Sequence, residues 1–287
     1  LLKGLALEYP DSNIITIRLV SVLIKSGAYN DALTRTIELL KKDKPAWITE
    51  ISLGQLAEIT EKGRIALSPA DSLVRARALY ENKNFKEALE LVTTLQSDGK
   101  ISDIELYIRI LSHLDRHADI TSALTSIADT KERIRLTFAA AEEYRLCSNW
   151  TRALPLYQEI NKSTIEPFSK DALQRICHHM INKNKTGYGA VLKAWITRYP
   201  DDPDTGEFLW NIARIDIRKS LANAVPDLKE SITKFPSGNE SDACRFWLIK
   251  YHLSQNDRPA VDALLGDMII HNPDSPYTWR MIDMLVH

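Results

Sequence analysis

Two adjacent histidines, His178 and His179, are the first residues of this chain that invite a metal or proton-transfer reading, and their spacing argues against both. Neighbouring positions on a helix point about 100° apart, so the two imidazoles do not converge on one ion. They read as structural side chains. Glu142-Glu143 and Asp201-Asp202 supply carboxylates in pairs, but nothing in the sequence brings a general acid and a general base together. The three cysteines, Cys147, Cys177 and Cys244, are odd in number and far apart, which leaves no disulfide framework and no Cys-x-x-Cys metal spacing. Each lies in an apolar, helical context and reads as a small buried residue. A Gly-rich phosphate loop, a Gly-x-Ser-x-Gly elbow and a His-Glu-x-x-His pair are all absent from the sequence. The sequence therefore predicts no catalytic residue, no metal ligand and no cofactor in this segment.

The elements that carry these residues are set by a recurring motif. Gly27-Ala28-Tyr29-Asn30-Asp31-Ala32-Leu33 is echoed at Asn84-Phe85-Lys86-Glu87-Ala88-Leu89, Asp119-Ile120-Thr121-Ser122-Ala123-Leu124, Asn149-Trp150-Thr151-Arg152-Ala153-Leu154 and Gly187-Tyr188-Gly189-Ala190-Val191-Leu192. Weaker copies stand at Leu221-Ala222-Asn223-Ala224-Val225 and Arg258-Pro259-Ala260-Val261. Anchors at 29, 85, 120, 150, 188, about 222 and about 258 give gaps of 56, 35, 30, 38, 34 and 36. Self-similarity of that length marks a stack of helical hairpins, because one hairpin cannot bury its apolar face alone. Apolar stripes agree: Phe85, Ala88, Leu89, Val92 and Leu95 lie on one helical face, as do Val261, Leu264, Leu265, Met268 and Ile269. Strand-type alternation is absent.

An aromatic opening the second helix, with a small Ala three residues on, resembles the tetratricopeptide repeat. The resemblance implies an all-α fold, an α-solenoid or superhelix of tetratricopeptide-like hairpins, and the absence of a Gly/Ser-rich linker or low-complexity tract predicts that it runs as one domain over 1–287. The mid-helix Gly of the repeat's first helix is missing from every copy, so the members are irregular. The stretch from about 41 to 68, with Trp47, Gly54 and Gly63, departs from the repeat and matches the long first gap; it reads as extra or mismatched helices.

Punctuation is equally regular. Tyr9-Pro10-Asp11-Ser12, Tyr199-Pro200-Asp201-Asp202, Phe235-Pro236-Ser237 and Asn272-Pro273-Asp274-Ser275 each read as ending one helix and capping the next, and Ser102-Asp103-Ile104-Glu105 as a capping box. The termini, Leu1-Leu2-Lys3-Gly4-Leu5 and Met284-Leu285-Val286-His287, both read as lying within helices, as expected of a piece of a longer protein.

Composition narrows the partners. At 44% hydrophobic and 26% charged the chain is a folded one, and 37 Lys plus Arg nearly balance 38 Asp plus Glu. Nothing draws the whole chain to nucleic acid, and no run reaches the ~18 apolar residues of a transmembrane segment. Charged ligands must be met by a local patch. The first helices of such hairpins usually line the concave surface, and alignment on the anchors places Arg77, Tyr80, Arg135, Glu142, Arg145, Lys183, Trp210, Arg214 and Arg218 there. Forked guanidiniums can clamp carboxylates or phosphates, and Tyr or Trp can stack on a peptide or a sugar; the alternative is that these charges only solubilise the inner face. Trp150 and Trp247 fall at repeat-core positions and read as packing residues.

The last third has a more particular flavour. Gly206-Glu207-Phe208-Leu209-Trp210, Ser231-Ile232-Thr233-Lys234-Phe235-Pro236, Cys244-Arg245-Phe246-Trp247-Leu248, Asn256-Asp257-Arg258-Pro259-Ala260 and Asn272-Pro273-Asp274-Ser275-Pro276-Tyr277-Thr278-Trp279 follow one another over 204–287. That succession is similar to the superhelical domain of soluble lytic murein transglycosylases, although Pro276 and Trp279 depart from the family's wording. The resemblance implies a periplasmic or cell-envelope protein, with peptidoglycan held for a catalytic domain outside this segment. That domain's Glu-Ser pair precedes a Gly-Leu-Met-Gln motif, which follows neither Glu230-Ser231 nor Glu240-Ser241. The second expectation is a scaffold that binds a protein or peptide partner in its groove.

Overall fold

A computed structural model describes residues 8–9, 11–97, 99, 103–183, 187–238 and 240–286 of the chain. The described residues form 16 helices and no strand. In order they are α1 (Asn13–Lys25), α2 (Tyr29–Lys41), α3 (Ala46–Gly63), α4 (Pro69–Glu81), α5 (Phe85–Ser97), α6 (Ile104–His113), α7 (His117–Thr125), α8 (Thr130–Leu146), α9 (Trp150–Ser163), α10 (Phe168–Asn182), α11 (Tyr188–Arg198), α12 (Asp204–Ile217), α13 (Leu221–Lys234), α14 (Ser241–Ser254), α15 (Arg258–His271) and α16 (Pro276–Val286). They divide into two compact units, residues 1–168 and 169–287. Each is a run of antiparallel hairpins, so the chain is an α-solenoid of tetratricopeptide-like repeats.

Six of the seven sequence anchors open a second helix or lie within its first two residues: Tyr29, Phe85, Trp150, Tyr188, and the neighbourhoods of 222 and 258. Ile120 is the exception. Helix α7 begins three residues earlier at His117, which changes the adjoining gaps from 35 and 30 to 32 and 33. The small residues three positions into these helices, Ala32, Ala88, Ala153 and Ala224, are wholly buried, and their size lets the paired helices close on each other. Of the predicted stripes, the one on α5 faces its core as expected. On α15 Val261 and Met268 are buried, whereas Ile269 is exposed. Ile269 lies about 100° round the helix from Met268, beyond the edge that α14 and α16 cover.

Five hairpins turn in one way. Gly27, Lys83, Asp115, Ser148 and Asn256 each adopt a left-handed backbone, with φ between 53° and 76°. The N–H of the next residue then bonds the carbonyl five residues back: Ala28 to Leu23, Asn84 to Leu79, Arg116 to Leu111, Asn149 to Tyr144 and Asp257 to His252, at 2.8–2.9 Å. This is the Schellman closure, which satisfies carbonyls the helix end would otherwise leave open.

The irregular stretch at 41–68 holds a single long helix, α3, which packs against α1, α2 and α4. Gln55 ties it to α1, donating from Nε2 to the Ile17 carbonyl at 3.0 Å and to Ser21 Oγ at 2.9 Å. Two glycines of α3 differ in their surroundings. A Cβ on Gly63 would meet Cβ and Cγ of Tyr29 at 3.0 Å, while a Cβ on Gly54 would meet nothing within 4 Å. Gly63→Ala is therefore expected to cost about 1 kcal/mol through overpacking. Gly54→Ala is expected to gain about 1 kcal/mol through helix propensity. Urea denaturation followed by circular dichroism separates the two, and shifts of the same sign in both variants would contradict this account of α3.

Ser12, Asp202 and Ser275 accept backbone N–H groups at the helix starts where they were expected to. Ser237 does not, because α14 begins four residues later behind Glu240. Asp103 caps α6 by accepting from the Leu106 N–H at 3.0 Å; Ser102 of the expected capping box lies outside the described residues, as do Pro10, Leu1–Leu5 and His287. None of the described helices is long and apolar enough to cross a membrane.

Candidate functional site

Within residues 1–168, the first helices α4, α6 and α8 present one laced surface. Arg77 on α4 donates to Asp103 from Nη2 at 2.7 Å and from Nε at 3.2 Å. Glu105 on α6 accepts from Arg135 on α8 and also from Arg109 one turn along its own helix. Arg109 in turn reaches Glu143 on α8. Arg135 keeps a second partner in Glu132 at 2.8 Å, and Arg145 pairs with Glu142 at 2.7 Å, which also accepts from the Tyr157 hydroxyl. A cavity of about 360 Å³ opens on this face, lined by Arg77, Tyr80, Glu81, Asp103, Glu105, Leu106 and Arg109.

Of the sequence candidates, Arg77 and Tyr80 line this cavity, Arg135 reaches its wall through Glu105, and Arg145 lies further along α8. Their chemistry differs from a free basic groove. Three guanidiniums, of Arg77, Arg109 and Arg135, face four carboxylates, of Asp103, Glu105, Glu132 and Glu143. The clamps expected for a ligand's carboxylate are filled by the chain's own. Hydrogen bonds from Arg135 hold Glu105 below the usual carboxylate range despite its partial burial. Burial, and then the hydrogen bond to Glu143, raises the Tyr80 phenol well above its ordinary value, so it stays a neutral donor.

Within residues 169–287 the predicted residues do not gather. Trp210 packs against the cluster of Ala213, Ala224, Leu228, Cys244 and Leu248. Arg214 and Arg218 are exposed, and among the described residues neither has an ion-pair partner; Arg214 only donates to Asn211 Oδ1 at 3.3 Å. Lys183 is exposed at the end of α10. His178 lies 3.9 Å from Asp204 and 3.8 Å from Glu207, while His179 is buried, so the two rings face different surroundings as their spacing required.

Sequence reasoning passed over a second surface. Phe246, Trp247 and Lys250 of α14 and Arg280, Asp283 and Met284 of α16 line a cavity of about 540 Å³. Lys250 Nζ stands 4.8 Å from the Trp247 ring centroid and 5.7 Å from that of Phe246, with the Arg280 guanidinium 6.0 Å from Phe246. Trp247 does pack against the core, as its repeat position implied, but one edge of it belongs to this cavity. Trp247-x-x-Lys250 is the signal that was available, since i and i+3 share a helix face.

A third cavity, of about 460 Å³, lies where α12, α13 and α14 meet and is acidic, with Asp204, Glu207 and Glu240 in its wall. Burial, then the charge of Glu207, raises the Glu240 carboxyl above its ordinary value. Gly206 is needed beside it, because a Cβ there would lie 3.2 Å from the Phe235 ring. The Gly206-Glu207-Phe208 and Phe235-Pro236 motifs thus meet in packing. Glu230 pairs with Lys234 at 2.8 Å, and Ser231 accepts from the buried Cys244 thiol.

Cys177 and Cys244 are buried as expected; Cys147 is exposed, because it falls on the C-cap of α8 rather than inside the helix. Among the described residues no cluster of three or more His, Cys, Asp or Glu could hold a metal ion.

No protein-family model matches the chain, and no curated protein matches it. Among solved structures, the C-terminal part of a TPR repeat-containing protein from Cytophaga hutchinsonii is similar at 15% identity and TM-score 0.50, over 94% of this chain and 99% of that one. The TPR domain of P58(IPK) shares 12% identity over 99% of this chain and 80% of its own, with TM-score 0.32. Yeast Tom70 shares 11% over 97% and 73%, with TM-score 0.30. The first likeness agrees with the tetratricopeptide-like fold and carries no information about a ligand. A lytic transglycosylase origin finds no support among them.

Proposed function

We propose that this chain is a noncatalytic tetratricopeptide-like scaffold that holds an extended segment of a protein partner, and that the α14–α16 cavity takes an acidic, aromatic-bearing stretch of it. The observation that carries this reading is the combination of an aromatic wall, Phe246 and Trp247, with two cations, Lys250 and Arg280, around about 540 Å³ of open space. An aromatic wall favours a bulky apolar side chain, and flanking cations favour carboxylates beside it. The laced face of α4, α6 and α8 is the less suited of the two, since a ligand's charges there compete with ion pairs already made.

Titration with a short labelled peptide alternating Glu with Phe, against its Lys counterpart, tests the reading. Saturable binding of the acidic peptide is expected, with Lys250→Glu/Arg280→Glu weakening it by about tenfold, or ~1.4 kcal/mol. Equal affinity for both peptides, or an unaffected double variant, would remove the cavity from the binding face. Charge reversal at Arg214 and Arg218 asks whether the segment continues along α12. The 204–287 sequence pattern motivates a finer alternative, in which the chain orients peptidoglycan for a catalytic domain of a lytic transglycosylase-like protein in the cell envelope. Binding to isolated murein sacculi, without saturable peptide binding, would replace the first reading with that one.

A further inference from the structure

Cys147 differs from the other cysteines in more than exposure. Its Sγ lies 3.1 Å from His113 Nδ1, and the opposite ring nitrogen, Nε2, lies 2.9 Å from Glu143 Oε2. Glu143 has a side chain only 2% exposed and is held in an ion pair with Arg109, so its carboxylate oxygen acts as acceptor. The proton of a neutral His113 ring therefore sits on Nε2, and the Nδ1 lone pair faces the thiol. The ring has little freedom to turn away: it stacks on Phe85 at a centroid distance of 4.1 Å and 9° between planes, and meets Tyr80 edge-on at 5.6 Å. A nucleophile, a base in hydrogen-bond reach and a third group that fixes the base are the parts of an activated nucleophile.

We propose that Cys147 is a nucleophilic thiol, with His113 as its general base and Glu143 as the positioning residue, and that it takes up small organic disulfides by thiol–disulfide exchange. Sγ forms a bond to one sulfur of the disulfide while the S–S bond breaks. The thiol proton passes to His113 Nδ1 and from there to the departing thiolate. Cys147 ends oxidised in a mixed disulfide, and the other half of the reagent leaves reduced as a thiol. Partial desolvation against the helix end, and then the charge of Glu143, push the exposed Cys147 thiol above its ordinary value, so little thiolate is present beforehand and the base must act during the attack. Cys177 and Cys244 are buried, with their thiols raised by burial to about 12 and about 11, and do not compete in the folded chain.

The test uses the full chain, the neutral disulfide 4,4′-dithiodipyridine at pH 7, and peptide masses to assign the modified cysteine. Cys147 in the folded chain is expected to react at least tenfold faster than the same thiol in the urea-unfolded chain, a modest share of the ~100-fold or more that general-base assistance typically supplies. An equal or slower rate in the folded chain overturns the proposal. In His113→Ala the folded-state rate is expected to fall about tenfold and to recover with imidazole in the buffer. A folded His113→Ala that reacts as fast as the parent overturns it too. Should that variant fail to fold, the folded-to-unfolded ratio of the parent chain decides by itself.

Discussion

Trp195→Ala is expected to destabilise the unit formed by residues 169–287 by about 4 kcal/mol. The indole is wholly buried in the cluster of Leu173, Cys177, Leu192, Phe208 and Ile212, which joins α10, α11 and α12. It meets Phe208 edge-on at 5.4 Å and Tyr199 at 4.8 Å. Its Nε1–H donates to Thr205 Oγ1 at 3.1 Å, and the Thr205 hydroxyl donates onward to the Tyr199 carbonyl at 2.7 Å. Truncation therefore opens a cavity large enough for a ring and leaves the threonine oxygen one donor short in a place water does not reach. Urea denaturation followed by circular dichroism measures the loss. A change below ~1 kcal/mol would mean that the cluster collapses around the gap and is not the rigid joint described.

Glu143→Ala is expected to cost about 2 kcal/mol, the next largest effect. Removing a buried charge from its partners is usually worth ~3–5 kcal/mol. Here Arg109 is about a third exposed and keeps Glu105, so solvent and the remaining carboxylate offset part of that. The variant also takes away the acceptor of His113 Nε2. A double-mutant cycle with Arg109→Met isolates the α6–α8 link; additive losses would show that the two side chains do not act on each other. The exposed Lys62–Glu58 pair on α3, which spans one helix turn in water, is the natural control, and its removal is expected to leave stability unchanged.

What could be read from the sequence was what the backbone repeats. Tyr29, Phe85, Trp150 and Tyr188 mark second helices because an aromatic at that point must pack between two neighbours, and the burial of Ala32, Ala88 and Ala153 follows from the same geometry. Ile120 misled by three residues, since α7 is short and its apolar anchor lies inside it. The surface was less legible. Arg77, Tyr80 and Arg135 could be picked out as candidates, but a charge pattern names candidates without saying which carboxylate each finds. Arg109 meets Glu143, and His113 meets Cys147, across intervals of 34 residues, about one repeat. Equivalent positions of successive hairpins stand side by side, so such pairs are visible only after the repeats are aligned on their true starts. Cys147 was misjudged for a related reason: one residue's difference in the end of α8 moves it from helix interior to cap.

The five hairpin turns close by the same hydrogen bond although only Gly27 is a glycine; Lys83, Asp115, Ser148 and Asn256 adopt the left-handed backbone with a side chain attached. Each such residue carries a strain of about 1 kcal/mol that a glycine would not. The turn holds regardless, because packing of the two helices it joins outweighs that amount. The residue at the bend is therefore not what sets the path of the chain: four different side chains and one glycine follow the same trajectory. A hairpin of this kind can exchange the letter at its turn and still deliver its second helix to the same place, at a cost set by the backbone and not by the packing.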